Sequence, residues 1–160
     1  MKWILDGYNV ILADHKLAAM ARNSIEGSRR ELIQEIAFSG KFRGDRIVLV
    51  FDGRSGGAVE KITPNFEIRF SASHETADEL IKKIVGNHEK RSSITVVSND
   101  RSIINYAKEC GAKVIGSKDF LSFMRCRRRE RETIEHLSEK PTPKFDPELL
   151  KLFKENKHET

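Results

Sequence analysis

Arg46-Ile47-Val48-Leu49-Val50-Phe51-Asp52-Gly53 is the stretch that decides the fold. From Ile47 to Phe51 every side chain is apolar, the pattern of a strand covered on both faces of its sheet. The run then stops at an acid followed by a glycine. Two further stretches end the same way: Lys2-Trp3-Ile4-Leu5 runs into Asp6-Gly7, and Ile94-Thr95-Val96-Val97-Ser98 runs into Asn99-Asp100. Phe66, Ile68 and Phe70 alternate with Glu67, Arg69 and Ser71, which reads as a half-exposed strand. Lys113-Val114-Ile115 supplies a short last one.

Helical spacing separates these strands. Ser24 to Phe38 can place Ile25, Leu32, Ile33, Ile36 and Ala37 on one face, with Gly40 as its stop. Thr76 to Glu89 turns Leu80, Ile81, Ile84 and Val85 inward, and Arg101 to Cys110 is closed by Gly111. Arg54 to Pro64, with glycines at 56 and 57, reads as a loop. Strands alternating with helices predict an α/β fold with a mainly parallel central sheet flanked by helices.

The 160 residues are about one domain's worth. Hydrophobic residues make up 38% and charged ones 33%, with a mean hydropathy of −0.51, so one core under a heavily ionised surface is expected. No apolar run approaches a bilayer span. Asp6 interrupts the N-terminus too early for a secretory hydrophobic region, so a cytoplasmic protein without a membrane partner is expected. Cys110 and Cys126 form no CxxC, and the five histidines are scattered, which argues against a zinc cage and for reduced thiols.

The formal net charge is +5 and the pI about 9.3, compatible with a polyanionic partner. Met124 to Glu135 reads MRCRRRERETIE and carries Arg125, Arg127, Arg128, Arg129 and Arg131. Guanidinium forks suit phosphate oxygens, so this segment is a candidate RNA-binding surface. The competing explanation is a solvated helix face in which Glu130, Glu132 and Glu135 pair with the arginines. The domain is expected to span 1–137, basic helical segment included. Residues 138–160 would form a linker around Lys140-Pro141-Thr142-Pro143-Lys144 and a short helix opened by Asp146-Pro147.

The acids carry the chemistry. In a parallel sheet the carboxyl ends of the strands share one edge, where ligands bind. Asp6, Asp52 and Asp100 should therefore meet despite their distance in sequence. Unpaired carboxylates so placed repel one another, and a hard cation would remove the conflict; oxygen donors point to Mg²⁺ or Mn²⁺. Glu75 and Asp78 would join them on one helical face if Glu75 lay in the first turn. Thr76 with Glu79 also fits a capping box, which leaves Asp78 to face the site. Each acid has a plainer explanation: Asp-Gly is a common turn pair, and Asn99 or Asp100 could cap the helix that begins at Arg101.

Ile4-Leu5-Asp6-Gly7-Tyr8-Asn9-Val10, Val50-Phe51-Asp52, Glu75-Thr76-Ala77-Asp78 and Ser98-Asn99-Asp100, in that order, resemble the NYN family of PIN-like nucleases, and within it the YacP-like branch. The resemblance runs from Met1 to about Ile115 and extends into the tail. It implies a Rossmann-like PIN/NYN fold, an acidic Mg²⁺ or Mn²⁺ site and endoribonuclease activity. Residue by residue, it makes Asp6, Asp78 and Asp100 metal-binding catalytic acids and Asn9 their companion. Asp52 matches as ligand, second neighbour or turn former, and Glu75 matches behind Asp78. The resemblance also suggests mRNA as substrate and the ribosome as a partner.

Tyr8 could stack on an RNA base, or its ring could pack beside the first strand. A haloacid-dehalogenase-type phosphatase would need a second acid at position 8, where Tyr8 stands. A dinucleotide binder would need a glycine-rich first turn, and no P-loop is present. A 5′-nuclease on DNA would need duplex-binding additions for which the chain lacks room. The remaining rival is a non-catalytic RNA- or ribosome-binding module on the same fold.

Overall fold

The computed structural model describes residues 1–53 and 57–126, which form one compact unit from Met1 to Cys126. The expectations for residues 127–160, a basic helix, a linker and a short terminal helix, lie outside the described residues. Six strands are described: β1 (Lys2–Asp6), β2 (Arg46–Phe51), β3 (Val59–Thr63), β4 (Phe66–Phe70), β5 (Ile94–Val97) and β6 (Lys113–Ile115). They form a single sheet in the order β3-β4-β2-β1-β5-β6. All neighbours run parallel except β3, which pairs antiparallel with β4 at the edge. The chain builds outward from β1 through β2 to β4 and then returns to β5 on the other side. The gap between β1 and β5 is thus the topological switch point, where open α/β sheets bind ligands.

The helices are α1 (Gly7–Leu12), α2 (His15–Asn23), α3 (Ile25–Phe38), α4 (Ala77–Gly86), α5 (Arg101–Glu109) and α6 (Ser117–Arg125). They cover the two sheet faces separately. Trp3, Leu5, Leu49, Phe51 and Ile68 pack with Val10, Leu32, Ile36 and Phe120 on the side of α1, α3 and α6. Ile4, Val48, Val50 and Val96 pack with Ile81, Ile84, Val85 and Ile103 on the side of α4 and α5. Successive strand residues point to opposite faces, so Asp6, two places after Ile4, belongs to the α4/α5 side. No described helix is long and apolar enough to cross a membrane.

Several local expectations are corrected. Arg54 to Pro64 is not all loop: Val59–Thr63 is the edge strand β3. Its residues are mostly exposed, so no hydrophobic alternation marks it, and pairing with β4 holds it in place. The Asp6-Gly7 turn is instead the direct start of α1. A side chain at Gly7 would place its Cβ 2.3 Å from the Phe51 ring, so this glycine serves close packing. Gly53 has the same role, with a Cβ there falling 2.6 Å from the Ser71 carbonyl. The helix expected over Thr76–Glu89 spans only Ala77–Gly86, and Ile25, placed on the inward face of α3, is exposed.

Candidate active site

Asp6 closes β1 and is buried, only 3% exposed. Its Oδ2 accepts hydrogen bonds from Asn9 Nδ2 at 2.5 Å and Ser98 Oγ at 3.0 Å. Asn9 can reach it because the helix begins immediately at Gly7 and places position 9 one turn above the strand end. Ser98, fully buried just past β5, also accepts the backbone N–H of Asp100 at 3.0 Å. One hydroxyl therefore ties the ends of β1 and β5 together across the switch point.

Asp100 caps α5, its Oδ1 accepting the N–H of Ser102 at 2.7 Å. The capping explanation is thus correct for this acid, yet it accounts for only one of the two carboxylate oxygens. Across the gap, Asp78 lies in the first turn of α4, set there by the Thr76–Glu79 capping box. Burial, then the charges of Asp100 and Asp6 and a hydrogen bond shared with Asp100, push Asp78 up to about 6. Asp6 is also raised, by burial and by Asp100, against the hydrogen bonds of Asn9 and Ser98, which favour its charged form. Asp6, Asp78 and Asp100 thus act on one another electrostatically, and Lys82 only partly offsets the effect on Asp78.

The structure does not bring the other two acids into that group. Asp52 is exposed, and its Oδ1 accepts the N–H of Ala77 at 2.6 Å, with the Ser71 hydroxyl at 3.4 Å. It acts as a clamp on the start of α4 and so positions Asp78 from behind. Glu75 precedes the Thr76 cap, outside the helix, and pairs with Lys83 at 3.1 Å. The condition for its sharing a face with Asp78 is not met. Among the described residues no three His, Cys, Asp or Glu side chains are grouped as a ready metal cage. Asp6, Asp78 and Asp100 offer only oxygen donors, the kind a hard divalent cation takes.

Tyr8 shows the packing that its sequence position allowed. It packs edge-on against Phe51, with centroids 5.2 Å apart, and its hydroxyl accepts a hydrogen bond from Arg29 while the residue stays half-buried. Arg125 has partners within the fold: it binds Glu35 through Nε at 2.8 Å and Nη2 at 3.1 Å, and Asp14 through Nη1. Its guanidinium fastens the end of α6 to α2 and α3. Arg127, Arg128, Arg129 and Arg131 lie outside the described residues.

The chain matches the model of the YacP-like NYN domain over residues 3–158. It belongs to the YacP-like NYN domain family. It is 32% identical over 157 residues to the Bacillus subtilis (strain 168) protein carrying the description "Uncharacterized protein YacP", covering 94% of this chain and 92% of that one. Its fold is similar to the crystal structure of Rae1 (YacP) from Bacillus subtilis, with a TM-score of 0.62, 28% identity and coverage of 78% and 73% of the two chains. A tryptophan-to-leucine mutant of that protein matches with a TM-score of 0.64, covering 78% and 74%. The fold is thus PIN-like, and the family supports a nuclease or RNA-related role. In this YacP-like chain, Ser98 was the site residue that pattern alone did not single out. The signal was present: a hydroxyl at the end of a buried strand, directly before Asn99-Asp100.

Proposed function

We propose that this chain is a divalent-metal-dependent endoribonuclease that hydrolyses phosphodiester bonds of mRNA, with the ribosome presenting the substrate. The observation that carries the reading is the acidic group at the switch point, where Asp78 is raised to about 6 by burial and by its acidic neighbours. Two carboxylates face Asp78, and Lys82 offsets only part of their effect. The YacP-like resemblance brings mRNA and the ribosome into the proposal.

Asp6, Asp78 and Asp100 would hold Mg²⁺ or Mn²⁺, which when bound supplies activation of a water and neutralisation of charge developing on the scissile phosphate. Asn9 and Ser98 fix the Asp6 carboxylate and favour its charged form. Asp100 is held by its cap bond, and Asp52 holds the helix that carries Asp78. Water attacking phosphorus with departure of the 3′ oxygen leaves 5′-phosphate and 3′-hydroxyl ends.

Incubating end-labelled mRNA with the full chain, with and without ribosomes, in Mg²⁺ or in EDTA tests the proposal. Internal cuts in Mg²⁺ that disappear in EDTA and increase with ribosomes are expected. Full cleavage in EDTA would overturn the metal assignment, and equal cleavage without ribosomes would remove the ribosome. RNA binding with no cleavage under any of these conditions would favour the non-catalytic module.

A further inference from the structure

Beside the acids, on the opposite face of the same sheet edge, lies a cavity of about 710 Å³. Its walls include Tyr8 of α1, Glu26 and Arg29 of α3, Asp52 after β2, and Glu60 and Phe70 of the β3–β4 hairpin. Asp52 belongs to both places, because it also holds the N-terminus of α4 that carries Asp78. The cavity therefore adjoins the start of the helix that carries Asp78.

Arg29 is the unusual member. Its guanidinium lies over three rings, 5.5 Å from Tyr8, 5.2 Å from Phe51 and 5.5 Å from Phe70. It donates to the Tyr8 hydroxyl, its Nε is buried without a hydrogen-bond partner, and no carboxylate pairs with it among the described residues. Phe51 is fully buried beneath it, while Arg29 itself lines the cavity. The arrangement thus presents a flat cation held against aromatic rings in the cavity wall. Guanidinium planes and aromatic rings are what unstacked RNA bases lie against.

The remaining walls decide what else the occupant must have. Three carboxylates, Glu26, Asp52 and Glu60, line the cavity. They would repel a phosphate, but they accept hydrogen bonds from a base. Asp52 is engaged with Ala77, and Glu26 with Arg30 at 3.6 Å, whereas no ion pair holds Glu60 among the described residues. Carboxylates accept and do not donate, so the edge they suit is one with adjacent N–H donors. Guanine presents two neighbouring donor groups, at N1 and N2. Adenine and cytosine present one amino group each, and uracil a single N–H flanked by two acceptors. The volume lies within the range of about 300–1,000 Å³ found for small-ligand sites and suits one nucleotide.

We infer that the cavity walled by Tyr8, Arg29, Phe70 and Glu60 receives one unpaired base of the RNA substrate and selects a donor-rich base, guanine first. The inference rests on the endoribonuclease reading, and two measurements keep the two separable. In the first, the full chain cleaves a pool of random single-stranded RNA in Mg²⁺ and the new ends are sequenced. Guanine should be enriched over uracil at one fixed distance from the cut, and Glu60→Gln should lower that ratio about tenfold, the scale of one lost bidentate base contact. Arg29→Met should raise KM more than it lowers kcat. Cuts with flat base composition at every position, or an enrichment untouched by Glu60→Gln and Arg29→Met alike, would overturn the inference while leaving the nuclease reading intact.

In the second, Asp78→Asn is titrated with fluorescent pentanucleotides that differ in one base. Tighter binding of the guanine-bearing RNA, lost in the Asp78→Asn/Glu60→Gln double variant, is expected whether or not the wild type cleaves. Equal affinities for all four bases would again refute the cavity's role.

Discussion

The Ser98 hydroxyl donates a 3.0 Å hydrogen bond to Asp6 Oδ2, joining two residues 92 positions apart at the point where the sheet changes direction. The same oxygen accepts the Asp100 N–H, so removing it frees a buried carboxylate and a backbone donor together. Ser98→Ala should lower stability by about 1–3 kcal/mol, the usual range for a buried group left without its partner. It should also push the Asp6 pKa further up, because a bond favouring the charged form is lost. Denaturant unfolding checks the first effect, and carboxyl-carbon NMR titration of Asp6 the second.

Asp100 serves as helix cap and as part of the acidic group, and two substitutions separate these roles. Asparagine caps about as well as aspartate, so Asp100→Asn should keep the melting temperature near that of the wild type while cleavage is abolished. Asp100→Ala should lose cleavage and also about 1 kcal/mol of stability. Thermal melts and RNA cleavage on the pair provide the check. Wild-type cleavage by Asp100→Asn would remove this acid from the chemistry.

The raised pKa of Asp78 sets the pH dependence of metal-free stability. An acid near 6 in the fold and 3.8 in the unfolded chain makes the native state bind the extra proton between those values. Stability should therefore increase as pH falls from about 7 toward 4, and Asp6, also raised, acts in the same direction. Asp14 and Asp45 act in the opposite sense. Despite partial burial, Asp14 is held below its ordinary value by hydrogen bonds from Arg125 and Leu17, and Asp45 by the Trp3 indole and the N-terminal ammonium. Their contributions should be lost only as pH falls below about 4. Asp78→Asn should flatten the rise between pH 7 and 4, measured by melting in EDTA.

Arg125 distinguishes fastening from RNA binding. Its bonds to Glu35 and Asp14 join α6 to α3 and α2, and all three groups are partly open to solvent. Arg125→Met should cost about 1 kcal/mol of stability, as exposed ion pairs do, with RNA affinity little changed. If the remaining arginines bind RNA, Arg128→Glu with Arg129→Glu should weaken binding and reduce its salt dependence. Salt titrations of both variants against the wild type separate the two roles.

Much of this arrangement was legible before any coordinates. Ile47 to Phe51, apolar throughout, and Ile94 to Val97, apolar but for Thr95, announce covered parallel strands, and the acids that end them must then share one edge. Asp78 was legible through the capping box, which fixes where α4 begins. Asp52 was not: its committed bond to Ala77 depends on a tertiary approach that a strand-end pattern cannot encode. The anchoring of Arg125 was not legible for a related reason, because local charge density does not reveal that Glu35 and Asp14 lie across from it. Val59–Thr63 carries no inward-facing apolar series, so only pairing with Phe66–Phe70 identifies it as a strand.

Cleavage of one labelled RNA by wild type and Asp78→Asn, followed across a Mg²⁺ titration, tests the central claim most directly. The account predicts that wild-type internal cleavage rises from nothing in EDTA and saturates with Mg²⁺, while Asp78→Asn, folded as judged by its melting curve, stays below about 1% of that rate, a loss of roughly 3 kcal/mol in the barrier. Metal-independent cleavage by the wild type, or an Asp78→Asn variant that cuts at the wild-type rate, would contradict it.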